Sequence, residues 1–171
     1  MTTVILGPPP AEVEALIAQR QRLGLDGHDE VWEGVYHMAP YAHSRHGRLE
    51  SELQFVLRPL VKARGWTLTT AFNLGDSPTS FRVPDIGVFA EPPDAMYVPT
   101  ALIVGEVLSP DDETFAKIPY YQAHGVQELF VVDPATRTIE VHRLQGTVRV
   151  VAESALLGVA TAKLAEQIEW P

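Results

Sequence analysis

The acids of this sequence best placed to do chemistry sit in apolar runs. Residues 101–108, ALIVGEVL, lie between Pro99 and Pro110 and read as a strand buried on both faces, with Glu106 near its end. In the preceding segment FRVPDIGVFA, Asp85 shares a face with Phe81, Val83, Gly87 and Phe89. Each acid breaks an otherwise apolar face. Consecutive strands are often neighbours in space, and if these two pair, their carboxylates converge. Two anions in a low-dielectric site require a proton, a cationic side chain or a metal. Oxygen ligands in a chain without cysteine favour Mg²⁺ or Mn²⁺ over zinc.

Two further residues extend this constellation. Glu50 precedes Leu53, Leu57 and Leu60 by three, seven and ten positions, so it continues the apolar stripe of a long helix toward the core. Lys117 follows Glu106 through SPDDETFAK and is the cation near enough in sequence to meet it. Plainer readings stand beside these. Asp85 after Pro84 could serve a turn or bulge. Glu106 could lie at the sheet rim or pair with Arg82, and Glu50 and Lys117 could be surface charges. Asp111, Asp112 and Glu113 read as helix caps. His43 and His46 have helical spacing but are not expected to form a metal pair, and Tyr120 and Tyr121 are expected to pack.

The elements that must position these groups are legible from periodicity. PPPAEVEALIAQRQRLG reads as a helix with a partial stripe of Val13, Leu16, Ile17 and Leu23. EVWEGVYHMA reads as strands with a hairpin about Glu33-Gly34. AHSRHGRLESELQFVLRPLVKARG is the longest helical pattern, apolar at Leu49, Leu53, Val56, Leu57, Leu60 and Val61 and stopped by Gly65. WTLTTAFNL is strand-like, DSPTS a loop, and a helix is expected from about 112 to 124, starting late or kinked because of Pro119. ELFVVD, TIEVHRL and TVRVVAE are further strands, and the tail holds a short helix and a terminal strand. Strands in mixed order between helices predict an α/β or α+β sandwich.

Composition bounds the rest. The 171 residues suit one domain, 1–171, with no disulfide framework possible. The N-terminus lacks the basic and apolar regions of a signal peptide, and no segment approaches a membrane span. A cytoplasmic location without membrane association is expected. With 13 Lys and Arg against 22 Asp and Glu, the net charge of −9 argues against coating nucleic acid by charge alone. It leaves open an enzyme that meets phosphates through metals held by carboxylates.

In chain order, Pro84-Asp85, Glu106-Val107-Leu108-Ser109-Pro110, Lys117 and YYQAHGVQELFVVDP form a pattern that resembles the Uma-two family of the P-D…(D/E)-x-K nuclease superfamily. The match runs from HSRHGRLESEL to the closing IEWP and is densest from Arg82 to Pro134. The resemblance implies a restriction-endonuclease-like fold: a central mixed sheet flanked by helices on both faces, with a nuclease core from about 42 to 145. It also implies hydrolysis of DNA, with Asp85, Glu106 and the Val107 carbonyl holding Mg²⁺ or Mn²⁺. The superfamily lysine would stand at position 108, where this chain has Leu108, so its role would pass to Lys117. Glu50 would complete the metal shell or take a proton. Few cations remain for DNA, among them Arg45, Arg48, Arg82 and Lys117, so a homodimer is one way to supply more. Two other readings remain open: a catalytically inactive nuclease-like binding or assembly module, and glycoside hydrolysis by two carboxyls without metal.

Overall fold

The computed structural model describes residues 3–7, 9–40, 43–110 and 113–171. Its α-helices are α1 (Ala11–Leu23), α2 (Ser44–Ala63), α3 (Ile118–Ala123) and α4 (Thr161–Ala165). The strands are β1 (Thr3–Ile5), β2 (Glu30–Trp32), β3 (Val35–Met38), β4 (Thr67–Thr70), β5 (Asn73–Ser77), β6 (Ser80–Arg82), β7 (Ile86–Phe89), β8 (Tyr97–Val98), β9 (Ile103–Val107), β10 (Glu128–Asp133), β11 (Thr138–Arg143), β12 (Arg149–Val151), β13 (Glu153–Ser154) and β14 (Val159–Ala160). Among these residues no helix is long and apolar enough to cross a membrane.

The architecture is mixed α/β, but the strands form two large sheets rather than one central sheet. One runs β12-β11-β10-β9-β7-β4, the other β1-β3-β2-β6-β5-β8, and β13-β14 make a small third. Two apolar runs that look continuous in sequence are each cut between the large sheets. WTLTTAFNL turns at Ala71, whose φ is +49°, and gives β4 to one sheet and β5 to the other. FRVPDIGVFA breaks at Pro84, which has no N–H for a ladder, and gives β6 to one and β7 to the other. Phe81 and Asp85 therefore do not share a strand face. DSPTS is the tip of the β5–β6 hairpin rather than a free loop.

β7 and β9 are antiparallel neighbours, with Ile86 opposite Gly105 and Val88 opposite Ile103. The parallel pair β9 and β10 requires a crossover, and the segment carrying Lys117 is that crossover. Period-2 alternation sends Ile103 and Val107 toward α2, into a core with Leu49, Leu53, Leu57, Ile86, Phe130, Leu164 and Ile168. Gly105 lies between them, and a Cβ there would stand 3.4 Å from Leu53 and 3.3 Å from Ile86, so the helix rests almost directly on the strand. Val104 faces the other way, into a core with Leu74 and Val98 of the second sheet and Tyr120, Tyr121, Leu129 and Val131. One face of the sheet is thus covered by α2 and α4. The other is covered by α3 together with the second sheet, so a helix lies on each face as expected, and on this face it shares the cover with strands.

Several local expectations hold. Glu33 and Gly34, with φ of +49° and +87°, make the β2–β3 turn. The stripe of α2 is buried at Leu49, Leu53, Val56, Leu57 and Val61, and Gly65 at φ +72° follows the helix. Burying each such side chain is worth about 1.5–3 kcal/mol. By contrast, α1 forms where expected but buries no residue, so its partial stripe is not a core face. The crossover begins as a 3₁₀ turn, Thr114–Lys117, and becomes α-helical at Ile118, with Pro119 in the first turn where its missing N–H costs nothing. Asp111 and Asp112 lie outside the described residues. Glu113 does not cap by its side chain; it meets His37 Nδ1 at 3.1 Å instead. The terminal strand expected after α4 is absent among the described residues.

Candidate active site

The site is built where the two sheets diverge. Asp85 stands just before β7, at the residue after the break at Pro84. Its Oδ2 accepts the Val107 N–H at 2.7 Å, which ties it to the end of β9. Its Oδ1 lies 3.1 Å from His46 Nε2, and the same imidazole nitrogen is 2.9 Å from Glu50 Oε1. His46 and Glu50 are one turn apart on α2, on the side that continues the buried stripe. The ligand atoms of His46, Glu50 and Asp85 all lie within 4.8 Å of one another.

His46 is the residue of this candidate site that spacing alone did not reveal. His43 is not its partner: it sits at the N-cap of α2 and accepts the Arg45 N–H. The signal was the i, i+4 pair His46/Glu50 on the face pointing at the core. Burial by itself would lower the imidazole pKa, but hydrogen bonds and charge from Asp85 and Glu50 outweigh it and raise it to about 10. Glu50 is held below its usual range by His46, against the effect of burial. In metal-free protein the imidazolium is thus the cation these two acids require. A raised imidazole pKa adds stability in full below about 6.5, and that stability is lost as pH climbs through about 10. An NMR titration of His46 in chelator-treated protein should give a midpoint far above 6.5, and Glu50→Gln should lower it. An unshifted midpoint would show that the two contacts do not persist in solution.

On the opposite face of β9, Glu106 points toward the crossover, as its parity with Val104 dictates. Lys117 Nζ lies 3.1 Å from Glu106 Oε1, and the Tyr121 hydroxyl donates to the same oxygen. Lys117 Nζ is also 2.9 Å from Glu30 Oε1, on β2. Burial pushes the Glu106 carboxyl up to about 8; Lys117 draws it down, while Asp85 and Glu30 push it further up. Burial works against the Lys117 ammonium, yet Glu106 and Glu30 outweigh it and raise its pKa. Tyr121, buried beside Glu106, is pushed well above its ordinary value.

The structure therefore brings Lys117 to Glu106 and Glu50 to Asp85, with the Val107 amide as the link. Arg82 is not a partner of Glu106. It is buried, with its guanidinium 4.2 Å from the Trp32 ring centroid and 3.9 Å from that of Tyr120, and it bonds Glu33 at 3.2 Å. It cannot reach a substrate from there. Tyr120 and Tyr121 are both buried, so they pack as expected.

Comparison with known proteins meets this geometry. Residues 15–168 match the Uma2 family, described as "Putative restriction endonuclease". The chain belongs to the Uma2 family. A solved structure from Anabaena variabilis ATCC 29413, titled as a "putative nuclease belonging to DUF820", superposes with a TM-score of 0.67 at 23% identity. That likeness covers 81% of this chain and 90% of the other, and it shows a shared fold. No curated protein matches the chain. In this Uma2 chain position 108 is leucine, and the lysine that meets Glu106 is Lys117, from the crossover.

Proposed function

We propose that this Uma2 protein is a cytoplasmic, metal-dependent endonuclease that hydrolyses DNA phosphodiester bonds. The observation that carries the reading is the 3.1 Å contact of Lys117 with Glu106, on the strand whose Val107 amide holds Asp85. The His46–Glu50–Asp85 group fits a divalent cation, because its three donor atoms lie within 4.8 Å and two of the three are carboxylate oxygens. Its imidazole nitrogen favours Mn²⁺ over Mg²⁺ among the two. Asp85 would hold the ion with Glu50 and His46 from the helix and the Val107 carbonyl from the strand, while Glu106, expected in the metal shell, turns to the other face of β9 and would hold Lys117 there. A bound ion would supply water activation and neutralise charge on the scissile phosphate.

Lys117 would donate to the attacking water or to the phosphorane oxygens, and Tyr121 keeps the Glu106 carboxyl in place for it. Glu50 would accept a proton through a water. Glycoside hydrolysis has no use for an ammonium between two acids, so that alternative loses its support. The test is nicking of supercoiled plasmid in Mn²⁺ or Mg²⁺, with chelator as control. Absence of cleavage on both double- and single-stranded DNA in either metal would leave the inactive binding module as the function.

Substrate approach is constrained by the net charge of −9 and by the loss of Arg82 to the interior. Arg45 and Arg48 remain exposed beside the site, and Arg48 meets Glu169 at 3.3 Å. DNA affinity should be weak, with a log–log salt slope reflecting fewer than about six neutralised phosphates per subunit. Fluorescence anisotropy across a salt series measures this, and a steeper slope would point to cations supplied by a homodimer.

A further inference from the structure

Lys117 needs more than Glu106 to be held. It stands on a 3₁₀ turn that changes to α-helix at the next residue, not on a strand whose ladder would fix its direction. A lysine carries four rotatable bonds and roughly 2 kcal/mol of rotamer entropy, so a catalytic ammonium requires something to aim it. The nearer of its two acids is Glu30, at 2.9 Å against 3.1 Å for Glu106. Glu30 belongs to the other large sheet and is itself fixed at both oxygens. Its Oε1 accepts the Val83 N–H at 2.8 Å, two residues before Asp85, and its Oε2 accepts Trp32 Nε1 at 2.6 Å.

The surrounding rings hold this arrangement against the crossover. Trp32 stacks on His37 at 4.3 Å and carries the Arg82 guanidinium on its ring. Arg82 also lies over Tyr120, and Tyr120 stacks on His124 at 4.0 Å. His37 reaches Glu113, at the start of the crossover. The second sheet therefore grips the crossover at both ends, with Glu30 between.

We propose that Glu30 is the positioning residue for Lys117: the second sheet aims the ammonium at Glu106 in place of the strand lysine that Leu108 removes. This rests on the nuclease reading above. The chain has three lysines, and Lys62 and Lys163 are exposed, so a slowly exchanging ammonium signal in ¹⁵N-lysine spectra belongs to Lys117. In Glu30→Gln that signal should disappear, kcat should fall about 10²-fold, the loss expected for a displacement near 1 Å, and KM should not move. Mn²⁺ affinity by calorimetry should also stay within twofold, because the bonds of His46, Glu50 and Asp85 run to one another, to Ser109 and to Val107. Trp32→Phe, which keeps an aromatic ring against His37 and Arg82 and removes the N–H donor to Glu30 together with the five-membered ring, should weaken both signal and kcat by a smaller factor and serves if Glu30→Gln does not fold. A retained signal with wild-type kcat overturns the proposal, as does a parallel loss of kcat and Mn²⁺ binding, which would mark a general structural role. If wild-type protein cleaves nothing, the nuclease reading fails, and the ammonium signal alone decides whether Glu30 aims Lys117.

Discussion

Lys117→Met should lower DNA cleavage by about 10²–10⁴-fold, the loss typical of removing a positioned donor or acid–base group. Methionine nearly matches the lysine stem in length and leaves the ring packing of the crossover in place. What it removes is the ammonium 3.1 Å from Glu106 and 2.9 Å from Glu30. Lys117→Arg should fail as well, since a planar fork cannot sit where a compact ammonium meets one oxygen of each acid. The methionine variant should also be less stable, because removing one partner from a buried ion pair typically costs about 3–5 kcal/mol. That cost depends on pH in a definite direction. The Glu106 carboxyl is already raised to about 8, and loss of the lysine that draws it down raises it further. A carboxyl raised in the folded state binds its proton more tightly there than in the unfolded chain, so stability declines as pH rises above about 4.5 and through that folded value. The variant should unfold at nearly the wild-type temperature in mild acid and well below it above pH 8. Plasmid cleavage at the pH where both proteins are folded isolates the catalytic effect, and wild-type rates there would rule out the displaced lysine.

The second large effect is expected on metal binding. Asp85→Ala should abolish Mn²⁺ binding in titration calorimetry, a larger loss than the 10–100-fold that follows removal of outer-shell partners. Asp85 touches both halves of the site: His46 at 3.1 Å on the helix side and the Val107 amide at 2.7 Å on the strand side. His46→Ala should weaken binding and leave it detectable, since Asp85 and Glu50 keep their oxygens. The double variant Asp85→Ala/Glu106→Ala should bind no Mn²⁺ at all. Unchanged binding in that double variant would remove the basis for metal-dependent chemistry here.

Sequence alone determined the local facts. The alternation around Glu106 marks a strand with an acid on a buried face, the heptad-like stripe of α2 marks a buried helix, and Glu33-Gly34 marks a turn; each follows from contacts within a few residues. The absence of lysine at 108 was equally plain, and with it the need for a cation from elsewhere. Where the chain changes sheet was not legible, because Ala71 and Pro84 interrupt strand runs without altering their apolar pattern, and pairing partners are chosen across the whole molecule. The divided sheets then decided the rest of the site. They set Glu30, 76 positions before Glu106, against the same ammonium, and they turned His46 toward Asp85 rather than toward its neighbour His43. Neither meeting leaves a periodic trace, since each depends on how two distant segments pack and not on the spacing within either one.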